Sequence, residues 1–201
     1  MPKKTGPSST TEKGSEAEAI LEVATAAAWD RWLKSHHGKS TGIWLRIPKG
    51  PTRAFGYAEA LDVALVWGWI DSQKRTLDEV AFIQRFSPRK VRSPWSKINR
   101  EKAEVLISAK KMQLRGLEEV ERAKADGRWE AAYDSARNST VPDDLTEALS
   151  QRRGALAFFE KLSGANRYAI LYRVQTAKKA ETRAERIRKF AEMCARGETI
   201  H

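Results

Sequence analysis

The sequence predicts an α+β fold: a small antiparallel sheet of about three strands packed by helices, followed by a helical C-terminal region. Three observations carry this expectation. Short β-prone runs interleave with amphipathic helical runs as far as residue 128. From Pro142 onward every apolar pattern has the helical period. The 201 residues are 41% hydrophobic and include seven Trp, enough to fill a core in one domain with appendages. The organisation that follows is a disordered tail over 1–16, an α+β domain over 17–128, a connector over 129–141 and a helical region over 142–197.

The tail is rich in Ser, Thr, Gly, Pro and Lys, a composition that buries too little to order. The first helix runs from Thr25 to His36, with Ala28, Trp29, Trp32, Leu33 and His36 on one face and Gly38 as its stop. GIWLRIP, residues 42–48, is β-prone and closed by Pro48; Ile43, Leu45 and Ile47 alternate with Trp44 and Arg46. KGPTRAFG, residues 49–56, reads as a loop.

A second helix spans Tyr57 to Trp67, entered from Gly56 with Glu59 in its first turn, and is apolar on most sides. GWIDSQ (68–73) and EVAFIQRF (79–86) flank a polar turn and read as an antiparallel pair. SPWSKINREKAEVLISAKKM forms a third helix, with Ser93 as N-cap and Pro94 in the first helical position. Its inner stripe is Trp95, Ile98, Lys102, Val105, Leu106 and Ala109. A fourth helix spans Leu114 to Arg128, ending near Gly127. Beyond Pro142 come DDLTEALSQ, GALAFFEKL, NRYAILYRVQTAKK and TRAERIRKFAEMCARG; the last opens on Thr182-x-x-Glu185, which places the helix break near Glu181.

The net charge is +11, and it is concentrated. Residues 84–102 carry seven Lys or Arg against Glu101, and residues 167–189 carry eight against Glu181 and Glu185. Such blocks describe two basic segments better than a diffuse solubility charge. The single Cys194 forms no intrachain disulfide, and the three His (His36, His37 and His201) build no metal site without carboxylate help. No Gly-rich phosphate loop, GxSxG or HExxH occurs, so no catalytic residue, metal or cofactor is expected. The start of the chain holds no apolar run of signal-peptide length and no segment has the length of a membrane span, so the expected compartment is the cytoplasm.

Asp71 follows Trp-Gly-Trp-Ile on a strand, and three readings stay open: an ion pair with an arginine such as Arg85, a ligand contact, or a catalytic group. In the first basic segment, Pro88 and Pro94 hold Phe86–Ser93 as a loop before a helix N-terminus, an anion-friendly setting. A solvated connector with structural ion pairs is the equal alternative. In the second segment, Arg183, Arg186 and Lys189 form a basic stripe beside Ala184, Ile187 and Ala191, which is also how an ordinary solvated helix face reads. The candidate ligand-binding set is Asp71, Arg85, Arg89, Lys90, Arg92, Lys97, Arg183 and Arg186.

The run WGWIDSQKRTLDEVAFIQRFSPRKVRSPWSKINREK, residues 67–102, resembles the hallmark block of the YdeI/OmpD-associated family, whose members are also called bacteriocin-protection proteins. The resemblance rests on Gly68–Ser72, Gln84–Arg89 and Ser93–Asn99, and continues in VPDDLTEAL (141–149) and AKKAETRAERI (177–187). It extends over roughly residues 25–197. It implies a role in stress or bacteriocin protection, or association with an outer-membrane porin, and names neither a reaction nor catalytic residues. Together with the charge pattern, it leads to a non-enzymatic protein binding an anionic ligand, either nucleic acid or a phosphorylated molecule. The alternatives are an adaptor for an acidic protein and an enzyme centred on Asp71.

Overall fold

The computed structural model describes residues 19–50 and 55–201. The expected tail over 1–16 and the middle of the 49–56 loop lie outside them. The fold is α+β, with eight helices and one four-stranded sheet among the described residues. The strands are β1 (Ile20–Leu21), β2 (Ile43–Pro48), β3 (Trp69–Thr76) and β4 (Ala81–Pro88), in the order β1-β2-β4-β3. β2, β4 and β3 are antiparallel neighbours; β1 adds a parallel edge that the sequence does not announce, because two residues carry no periodicity.

Residues paired directly across a sheet share a face. Ile43 opposite Phe86, Leu45 opposite Gln84 and Ile47 opposite Phe82 form the covered face, against α1 (Ala26–His36) and α2 (Tyr57–Val66). Thr25 caps α1 by accepting from the Ala28 amide, and Glu59 accepts from the Gly56 amide at the start of α2. Tryptophans knit these layers. Trp29 donates to the Ala60 carbonyl, Trp67 to Asp30, and Trp69 to the His37 carbonyl. His36 stacks on Trp32 and His37 leans on Trp67, so both histidines serve packing.

The third helix starts later than the sequence suggests. α3 is Lys97–Ser108, capped by Ser96, whose hydroxyl accepts from the Asn99 amide. Ser93 instead closes a turn by accepting from the Lys90 amide. The shift turns Asn99 and Ala103 inward and leaves Ile98 and Val105 exposed, so the predicted stripe is out of phase. A tertiary contact decides it: Tyr133 pairs with Ser96, trading backbone hydrogen bonds with Trp95 and Lys97. That bridge keeps Trp95 extended and buried.

α4 (Leu114–Ala125) crosses α2 so closely that a Cβ on Gly116 would lie 2.4 Å from the Val66 carbonyl oxygen. Gly68, at φ +71°, makes the turn into β3 beneath the Arg115 carbonyl, a conformation that glycine adopts without strain. The remaining helices, α5 (Asp143–Ser150), α6 (Ala155–Lys161), α7 (Gly164–Gln175) and α8 (Ala180–Ala195), bury a separate cluster around Leu145, Phe159, Ile170 and Phe190. Cys194 lies inside it, and burial pushes its thiol up. α8 begins after Lys179 rather than at Thr182, moving the break to 176–179. No described helix is long and apolar enough to cross a membrane.

Candidate functional site

The segment after β4 resolves residue by residue. Arg85 faces Gly42 from the sheet face opposite Phe86, whereas Asp71, paired with Phe86 across β3 and β4, lies on the covered face. Strand alternation therefore separates Asp71 from Arg85, and the expected ion pair between them does not form. The Tyr57 hydroxyl donates to Asp71 Oδ2 at 2.7 Å instead. A bulge follows at once, with Ser72 and Gln73 opposite Arg85, and Gln84 Nε2 donates to the Gln73 carbonyl.

Arg89 turns inward and is 4% exposed. Its guanidinium lies 3.5 Å over the Trp95 ring, and Nη1 donates to the Pro94 carbonyl. Burial, opposed by Glu119 and reinforced by the like charge of Arg128, pushes its pKa down to about 10. Lys90 and Arg92 project outward from the turn. Lys97 pairs with Asp134 at 2.9 Å.

In α8, Arg183 grips Asp144 through two nitrogens at 2.7 and 2.9 Å and donates to the Val174 carbonyl. Arg186 donates to the Arg173 carbonyl. Both arginines thus cover the C-terminal end of α7, where helix carbonyls lack partners of their own. Their role in the fold is to hold α8 against α7 and α5.

A residue outside the predicted set completes the basic cluster. Arg128, 6% exposed, donates through Nε to Asp126 and through Nη1 to the Ser93 carbonyl at 2.7 Å. Arg89 and Arg128 therefore hold the carbonyls of two consecutive residues, Pro94 and Ser93. Around this turn, Arg89 Nε and Nη2, Arg128 Nη2 and Trp95 Nε1 are buried with no hydrogen-bond partner among the described residues. Such donors are rare in folded proteins, and each costs about 1–3 kcal/mol when left unmatched.

Arg128 lines a cleft of about 330 Å³ with Pro94, Asp126, Gln175, Thr176 and Lys178. Lys178 stands exposed at its edge. The hydrogen bond from Arg128 holds the Asp126 carboxyl below the usual carboxylate range, with Lys178 adding to the effect. The two basic segments thus meet at Pro94 and Lys178, although Arg183 and Arg186 do not join them there. Arg128 is the last residue of the expected α+β domain, outside every motif singled out in the sequence. Its signal is the Asp-Gly-Arg turn that ends α4.

On the other side of the Ser93–Asn99 segment, Asp71, Tyr57, Ser96, Asn99, Lys102 and Tyr133 line a second cavity of about 320 Å³, closed by Tyr168 from α7. Both cavities lie where the connector joins the sheet-bearing part to the helical part. Among the described residues no group of three or more His, Cys, Asp or Glu is placed to hold a metal ion.

Two family models match this sequence. A domain of unknown function (DUF8412) matches residues 21–119, and the model described as bacteriocin-protection, YdeI or OmpD-associated matches residues 138–197. The Gly-Trp-Ile-Asp-Ser and Arg-Phe-Ser-Pro-Arg motifs fall within the first match, VPDDLTEAL and AKKAETRAERI within the second. No curated protein and no solved structure matches the chain. The helical C-terminal region, residues 138–197, is thus similar to the bacteriocin-protection, YdeI or OmpD-associated family, whereas the block at 67–102 that resembles that family's hallmark falls within the match to the domain of unknown function.

Proposed function

We propose that this chain is a non-enzymatic protein that binds a small phosphate-bearing molecule in the cleft between Pro94, Arg128 and Lys178, and that it serves in stress or bacteriocin protection. The observation that carries the reading is the set of buried guanidinium and indole donors around the Ser93–Pro94 turn that no described residue matches. Of these donors, Arg128 Nη2 belongs to the lining of the cleft, and an anion there is the chemistry that satisfies it together with the nearby Lys178 ammonium. Trp29, Trp67 and Trp69 all place their indole N–H on a protein acceptor, which sets Trp95 apart. The volume of about 330 Å³ suits a phosphate with a small substituent. The exposed Lys90 and Arg92 are the groups through which a nucleic acid or an acidic protein would instead make contact.

Titration calorimetry with pyrophosphate at low salt tests the reading. Wild type is expected to bind, Arg128→Gln to lose at least tenfold in affinity, and Asp126→Asn to gain severalfold because a like charge leaves the cleft. Absence of binding up to about 10 mM, or equal affinity in Arg128→Gln, rejects it.

A further inference from the structure

The second cavity has the opposite chemistry. The sequence contains four tyrosines, and all four gather there. Tyr57, Tyr133 and Tyr168 line it, and Tyr172 packs edge-on to Tyr133 with centroids 4.9 Å apart. They arrive from α2, the connector and α7, so the cluster is a product of the tertiary fold. Asp71 faces the same space from β3. Its Oδ2 is fixed by the Tyr57 hydroxyl, and no described residue donates to its Oδ1. Lys102, the cation of the lining, is held by Asp62 at 2.6 Å, so that pair is neutral. Arg89, buried behind the wall, feels Glu119 more strongly than it feels Asp71. Asp71 is thus the carboxylate of a tyrosine-lined cavity, with the buried Arg89 acting on it only as a weaker countercharge.

We propose that this cavity is a binding site for a small organic cation, an alkylammonium or alkylguanidinium group, with Asp71 Oδ1 accepting its N–H and the faces of Tyr57, Tyr133 and Tyr168 surrounding its charge. Aromatic faces attract cations through the ring quadrupole, and a carboxylate supplies a charge-assisted hydrogen bond. An anion entering here meets Asp71, and an uncharged alcohol can donate to Asp71 but forgoes the attraction of the rings and the pairing of opposite charges. Tyr57 and Tyr168 stay as neutral phenols at neutral pH: burial, helped by Asp71, raises Tyr57 well above the usual range, and burial pushes Tyr168 up to about 12. The site is distinct from the anion cleft and stands on separate residues.

The tyrosines provide the readout. In protein labelled with 13C-tyrosine, ring resonances are followed by NMR during titration with butylammonium and butylguanidinium, with 1-butanol and butyrate as controls. The expected result is saturable shifts with the two cations, little change with the controls, and at least tenfold weaker binding in Asp71→Asn, which keeps the shape and an acceptor for Tyr57. Shifts of equal size with 1-butanol overturn the proposal, as do undiminished binding in Asp71→Asn and the absence of saturation.

Discussion

Asp134 joins the two halves of the molecule, and its replacement by alanine has a calculable effect. The carboxylate accepts from Lys97 Nζ at 2.9 Å, beside the α3 N-terminus, and from Gln175 Nε2 at 2.8 Å, at the end of α7. Two further bonds use the backbone of residue 134 and survive the change: its amide donates to Gln175 Oε1, and the Tyr168 hydroxyl donates to its carbonyl. Lys97 is 45% exposed, so solvent screening reduces its pair to less than about 1 kcal/mol. The Gln175 bond adds about 1 kcal/mol. The expected loss is therefore about 1–2 kcal/mol, or roughly 2–8 °C in Tm for a chain of this size. The pH dependence provides an internal control. The hydrogen bond from Lys97 holds the Asp134 carboxyl below its ordinary value, with Gln175 contributing in the same direction. A depressed carboxylate contributes fully above its unfolded pKa, about 3.9, and loses that contribution as pH falls through the folded value. Urea denaturation should thus show the wild-type advantage at pH 7 and its shrinkage below about pH 4. Equal stability at pH 7, or a gap that persists unchanged into strong acid, would refute the argument.

Gly116→Ala sets helix propensity against contact. Propensity favours alanine by about 1 kcal/mol, but the new Cβ would lie 2.4 and 2.9 Å from the carbonyl oxygens of Val66 and Leu65, neither of which can swing away. A net destabilisation of about 1–3 kcal/mol is expected in thermal melts, and a stabilised variant would show that α4 and α2 slide apart easily. Arg183→Met removes the two-pronged pair with Asp144 and the bond to the Val174 carbonyl. Because both side chains are about a third or more exposed, the loss is about 0.5–1.5 kcal/mol, read as faster amide exchange at the end of α7; unchanged exchange there would remove the capping role.

The elements that the sequence makes legible are those whose signals are local. Trp29 and Leu33 at helical spacing, the alternation of Ile43, Leu45 and Ile47, and the polar turn between the two strands all concern neighbours along the chain. Where two local signals compete, the tertiary structure decides. Ser93 and Ser96 are both adequate caps, and the pairing of Ser96 with Tyr133 selects the second. Thr182-x-x-Glu185 is a sound capping pattern, yet α8 starts after Lys179. Arg183 and Arg186 read as a solvated stripe, whereas their long side chains reach back to Asp144 and to the carbonyls of Arg173 and Val174. Asp71 was identifiable as a strand carboxylate among aromatics. Alternation along β4 already places Arg85 on the face opposite Phe86, and only the β3–β4 register shows that Asp71 shares the Phe86 side. The tyrosine cavity draws on residues more than a hundred positions apart, and Arg128 carries no motif, so neither could be read from spacing.

The most direct test of the anion cleft is a crystal structure of the full chain grown with pyrophosphate. The account predicts a phosphate oxygen within hydrogen-bond distance of Arg128 Nη2, between Pro94 and Lys178. An unliganded cleft in which Arg128 Nη2 is matched by ordered water or by another protein group would contradict it.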